Sequence, residues 1–169
     1  MGSGTTRLDD EHLADYLNEH LLASEGGLRA FKAAADTWAG TPHERTLHAL
    51  VGEIERDRHD LAQLIQRLGY RPTGWKRALT LAFATVGRAN PVNLLRRTGG
   101  SMAQLELDVL TGAVRAKRSM WDTLLEIAGD EPRLDPRLLH DLAARADQQI
   151  GELQNISRAT CRDRFLETA

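Results

Sequence analysis

Cysteine, aromatic residues and, over one long stretch, acidic residues are scarce in this 169-residue chain. The single cysteine, Cys161, leaves no partner for an intrachain disulfide, which suits a reducing compartment. It falls near the inner face of the last helix and reads as a small buried hydrophobe rather than a nucleophile. No apolar run approaches the roughly 20 residues of a membrane span, and the first residues lack the apolar core of a secretion signal. The expected location is therefore cytoplasmic. Glycine-rich phosphate loops, CxxC pairs and a Ser/His/Asp set are all missing, which removes the common signatures of nucleotide, redox and acyl-transfer chemistry. The least ordinary absence is that of carboxylates between Asp60 and Glu106. That interval holds Arg67, Arg71, Lys76, Arg77, Arg88, Arg96 and Arg97, a strongly basic segment inside a chain of net charge −2.

Aromatics make up only 5% of the chain against 41% hydrophobic residues, so leucine and alanine must build most of the core. With arginine and glutamate they are the better helix formers, and the length suits one domain. Four long helices are legible. The first runs from about Leu8 to Trp38, with a seam at Leu17, Leu21, Ser24, Leu28, Phe31, Ala35 and Trp38 whose gaps alternate four and three. "TPHE" then predicts a new start, with Thr41 as cap, Pro42 in the first turn and Glu44 closing a capping box. The second helix carries Leu47, Leu50, Ile54, Leu61, Leu64 and Leu68 and stops at Gly69. The third is expected to start at Ser101, with Gln104 completing a capping box, after Thr98-Gly99-Gly100 ends a preceding short helix. The fourth is announced by Asp135 and Pro136 and continues to about Phe165.

Short first and last connections predict two antiparallel hairpins. Some 30 residues between them form a long, partly helical crossover. Residues 1–7 are expected to be a disordered tail and 8–165 a single bundle domain, with the crossover at 70–100. Helix order, "EGGLRAFKAAAD" at 25–36 and "LVGEIERDRHDLAQLIQRLG" at 50–69 carry a resemblance to the ferritin-like superfamily. More narrowly, the chain resembles small bacterial ferritin-like four-helix bundles of unknown function. The resemblance implies an all-α, ferritin-like four-helix bundle.

It also raises the question of metal. In metal-binding members the first and third helices each supply a Glu, and the second and fourth each supply Glu-x-x-His. Neither pair is present. Glu53 and Glu55 are followed three residues later by Arg56 and Arg58, and His140 is preceded by Arg137. Within "EIERDRHD" (53–60), Glu55 and His59 point away from the apolar seam. Asp57 falls inside it, in the series 47, 50, 54, 57, 61, 64, 68, with Arg58 on a flank. Counting from the turns sets Ser24 or Glu25, Asp57, Lys117, and Asp147 or Gln149 at one mid-bundle level. A lysine ammonium has the wrong sign for a dication but suits a carboxylate, since a buried charge persists only when paired. The expected centre is thus a structural ion pair of Lys117 with Asp57, Glu25 being the alternative carboxylate, and the rest of the stretch facing water. The competing possibilities are Lys117 reaching out to solvent and a surviving di-iron site of Glu25, Asp57, Glu106 and Asp147.

The crossover reads as an amphipathic segment. Trp75, Leu79, Phe83 and Val86 are suited to pack on the bundle, leaving Lys76, Arg77, Arg88, Arg96 and Arg97 to water or to acidic faces. A basic amphipathic helix with a tryptophan could also dock on an anionic membrane surface, and the charge asymmetry suits a homodimer or another protein partner. Nucleic acid is disfavoured by a pI near 6.3 and few stacking aromatics. The expectation is a non-catalytic bundle without the di-metal ligands or a cofactor, in an interaction or stress-related role. The alternatives are a divergent di-iron carboxylate protein, acting as an oxidase or in iron handling, and a peripheral membrane module.

Overall fold

The computed structural model describes residues 8–71 and 99–166, with the side chains of the third helix described from Met102 onward. The described residues form four α-helices and no strand: α1 (Asp10–Thr37), α2 (Glu44–Arg67), α3 (Gly99–Ile127) and α4 (Pro136–Phe165). The crossover residues Trp75, Lys76, Arg77, Arg88, Arg96 and Arg97, and the tail at 1–7, lie outside the described residues.

Local chemistry sets the helix ends. Asp9 caps α1 by accepting from the His12 N–H at 3.0 Å, and Asp10 and Glu11 place negative charge in the first turn, where the helix dipole favours it. Asp135 caps α4 by accepting from the Arg137 N–H at 2.9 Å, with Pro136 opening the helix. Gly69 takes a left-handed φ of 80° at the end of α2. Its N–H donates to the Gln66 carbonyl at 2.9 Å, and Tyr70 N–H reaches the Ile65 carbonyl at 3.1 Å. Those two bonds close a Schellman turn, which explains why the helix stops there.

Two starts differ from the sequence expectation. At α2 the Thr41 hydroxyl does accept from the His43 N–H, at 3.3 Å, but Glu44 accepts from Gly40 N–H at 2.8 Å rather than from Thr41. The box is shifted by one residue, and the helix begins at Glu44. At α3 the described helix already includes Gly99 and Gly100, so Ser101 lies within the helix and is not its cap, while the short helix expected before it lies outside the described residues.

Cross-helix contacts give the topology. Lys32 pairs with Glu55 and Asn18 reaches Arg71, so α1 and α2 run antiparallel. Gln104 bonds Ser157 and Lys117 bonds Gln149, so α3 and α4 do as well. Trp38 at the end of α1 meets Glu106 near the start of α3, and Asp60 meets Arg145 while Glu53 meets Gln149 across α2 and α4. Each neighbouring pair is therefore antiparallel, which leaves α2 and α3 parallel. The chain leaves α2 at one end of the bundle and enters α3 at the other, about 36 Å away for a 24-residue helix.

The core is mainly leucine. On α2 every position of the alternating series from Leu47 to Leu68 is buried, Asp57 included. On α1, Leu17, Phe31, Ala35 and Trp38 are buried, but Leu21, Ser24 and Leu28 are only partly so. On α3 the apolar arc is narrower than the sequence suggests, since Leu105 and Val109 are 48% and 53% exposed among the described residues. Trp121, Met120, Leu124 and Leu110 fill the space beneath.

Candidate functional site

Asp57 on α2 is 3% exposed, and the seam spacing that buries it also aims it at the bundle centre. Burial of a lone carboxylate would be prohibitive. Three groups from the second hairpin compensate it. Lys117 Nζ donates to Asp57 Oδ2 and, at 2.6 Å, to Gln149 Oε1. Gln149, fully buried, donates its own Nε2 to Asp57 Oδ2 at 2.9 Å and to Glu53 Oε2 at 3.1 Å. Arg145 lies with Nε 2.5 Å from Asp57 Oδ1, a charge contact rather than a directed hydrogen bond, and its Nη2 donates to Asp60. The centre is thus a layer of two cations, one amide and three carboxylates.

Lys117 does not run to solvent: its side chain is 18% exposed. Desolvation pushes its pKa below the ordinary lysine value, and the Asp57 carboxylate opposes that shift. Burial also lowers His20, on the α1 side of the layer.

The residues of "EIERDRHD" divide more evenly than the sequence suggests. Glu55 and His59 are exposed, Glu55 on Lys32 and His59 against Gln63. Glu53 and Asp60, expected to face water, are both drawn into the layer. Arg145 was not singled out by sequence reasoning, although it sits one turn before Gln149 on the same face of α4. Asp57 and Asp60, three apart on α2, form a matching pair of acceptors for it.

The alternative metal set is not brought together. Glu25 is exposed and pairs with Arg29 on its own helix at 3.2 Å. Asp147 is exposed and held by Arg118 at 2.9 Å, Arg118 also pairing with Asp122. Glu106 lies eleven residues before Lys117, about 16 Å along the axis. There it is buried, accepts the Trp38 indole N–H at 3.0 Å, and has Arg164 nearby, stacked 4.7 Å over the Trp38 ring. Among the described residues no group of three or more His, Cys, Asp or Glu side chains is placed to hold an ion. The donor set does not fit a di-iron centre: one inward carboxylate is already satisfied by two cations, and a dication beside Lys117 and Arg145 would be repelled.

Cys161 is only partly buried, its thiol against the Arg158 carbonyl at 3.4 Å, so it is not the core residue expected. Sequence reasoning also missed a clamp at the far end of the bundle. Arg133, between α3 and α4, donates to Glu131, to Asp10 at 2.6 Å and to the Leu68 carbonyl at 2.8 Å. Tyr70 donates to Asp10 at 2.6 Å beneath the same guanidinium.

Beside the polar layer, between α1, α2 and α3, lies a cavity of about 140 Å³. Its origin is local. Ala23, Ser24 and Gly27 on α1 and Ala113 and Ala116 on α3 line it, small residues where longer side chains would fill the space. No described helix is long and apolar enough to cross a membrane. No family model, curated protein or solved structure matches the chain.

Proposed function

We propose that the chain is a non-catalytic bundle of ferritin-like type, in which an ion-pair layer stands where metal-binding relatives of that architecture keep their ions, and that its role is interaction or stress-related binding. The observation that carries this reading is the Lys117 ammonium held between Asp57 and Gln149 at mid-bundle. Two hairpins with α2 and α3 parallel are the arrangement that a ferritin-like connection requires, and this supports the architectural half of the reading. Breaking a layer of this kind by removing one charge is strongly destabilising, so the polar residues serve the fold rather than a reaction.

The test is elemental analysis of untagged protein purified in air and again after incubation with ferrous iron. Well under one iron, manganese or zinc per chain is expected in both. A stoichiometric metal lost in Asp57→Asn would overturn the reading.

A further inference from the structure

The cavity next to the polar layer has unsatisfied chemistry in its walls. Its floor is apolar, formed by Phe31, Ile54, Leu61, Val114, Met120 and Trp121. Trp121 is 1% exposed, and its indole N–H has no hydrogen-bond partner among the described residues. Arg58 also lines the cavity; its Nε–H is buried with no acceptor among the described residues, and no described carboxylate pairs with its guanidinium. The other charged groups of the lining, Asp57 and Lys117, are already committed to each other and to Gln149. Trp121 and Arg58, each with a buried donor and Arg58 an unpaired cation among the described residues, thus line the same small apolar space. Buried donors left unpaired are rare in folded proteins, and each calls for an acceptor.

We propose that this cavity binds a small monocarboxylate with a compact apolar body, its carboxylate paired with Arg58 and an oxygen within reach of the Trp121 indole N–H. The size limit follows from volume: an apolar cavity of about 150 Å³ accommodates benzene, and the 140 Å³ here sets the same scale. A long acyl chain does not fit. A phosphate dianion would bring more charge than one guanidinium offsets and would waste the apolar floor. Access is through the exposed positions Ala23, Ala113 and Ala116, where the cavity wall reaches the surface. The proposal rests on the ion-pair reading of the layer only in that Lys117 stays engaged by Asp57.

Benzoate is a suitable probe, with toluene as its uncharged counterpart, titrated into the full chain and followed by the indole N–H signals in two-dimensional NMR. Trp121→Phe assigns the signal. A ligand this small binds with a Kd on the order of 1 mM. The expected result is a saturable shift of the Trp121 indole signal with benzoate. Arg58→Met should weaken benzoate at least about tenfold while leaving toluene unaffected, and Ala116→Leu, at an exposed helical position, should abolish both. No Trp121 shift up to roughly 20 mM benzoate overturns the proposal. Equal benzoate affinity in wild type and Arg58→Met overturns it as well. A metal found at the layer would bear on the reading above and leave these titrations unchanged, so the two fail separately.

Discussion

Lys117 Nζ donates to Gln149 Oε1 at 2.6 Å, so the lysine's second partner is a neutral amide and not another acid. Because the same amide donates to Asp57 and Glu53, Gln149 both accepts from the cation and donates to the anions. Gln149→Leu should therefore cost about 1–3 kcal/mol, beyond what its similar volume would suggest, by leaving polar partners unsatisfied. Urea unfolding measures it, and a loss below about 0.5 kcal/mol would mean the amide is dispensable.

Removing the two ends of the ion pair should not be equivalent. Lys117→Met leaves Asp57 with Arg145 and Gln149, and a loss of about 1–3 kcal/mol is expected. Asp57→Leu leaves Lys117 buried with no anion in contact, at about 3–5 kcal/mol. The double variant Asp57→Leu with Lys117→Met should be more stable than Asp57→Leu alone. If the two losses simply add, the residues do not act as a unit.

Glu106 gives an opposite kind of pH signal to a salt-bridged acid. Burial raises its pKa, with the Trp38 hydrogen bond and Arg164 opposing. A carboxyl with a raised folded pKa contributes most below the unfolded value of about 4.5, and that contribution is lost as pH rises through the folded value. Glu106→Gln, which can still accept the indole N–H, should thus gain on wild type between about pH 4 and neutrality. Denaturation midpoints at several pH values would show the gap widening upward; a gap that narrows contradicts the assignment.

Tyr70 should titrate late. Burial first, and then its hydrogen bond to Asp10, push its pKa to about 12. The phenol contributes stability fully below its unfolded value of about 10, and that contribution is lost as pH rises through 12. In a Tyr16→Phe background, absorbance titration should give a single midpoint near 12, and Asp10→Asn should bring it down towards 10. An unshifted midpoint in Asp10→Asn would remove Asp10 as a cause.

The helices and their seams were legible because period and caps are local properties. Leu47 to Leu68, Asp57 within them, and the Asp135-Pro136 start of α4 could be read from spacing alone. Counting residues from the turns also set Lys117 level with Asp57. What could not be read was how far each helix is rotated about its axis. That rotation put Gln149 inward and Asp147 outward, and left Leu105 and Val109 exposed. Nor could the reach of long side chains be read: Arg145 and Arg133 find partners 85 and 123 residues away in sequence. The cavity was hidden for a related reason, since the small residues that border it belong to two different helices.

The polar layer draws all its carboxylates, Glu53, Asp57 and Asp60, from the first hairpin, and its two cations and its amide from the second. Leucines tolerate sliding past one another, but these groups do not. Moving one hairpin by a single helical turn would set Asp57 against Ala113 in one direction, a charge buried with no cation, and against Trp121 in the other, which ends the Lys117 contact. The layer therefore acts as a vernier between two otherwise greasy halves, accepting one alignment and rejecting its neighbours. The same logic extends to exchange between molecules. If two chains traded second hairpins, each rebuilt bundle would recover every contact of the layer, so the device that enforces alignment within a chain offers no defence against swapping between chains.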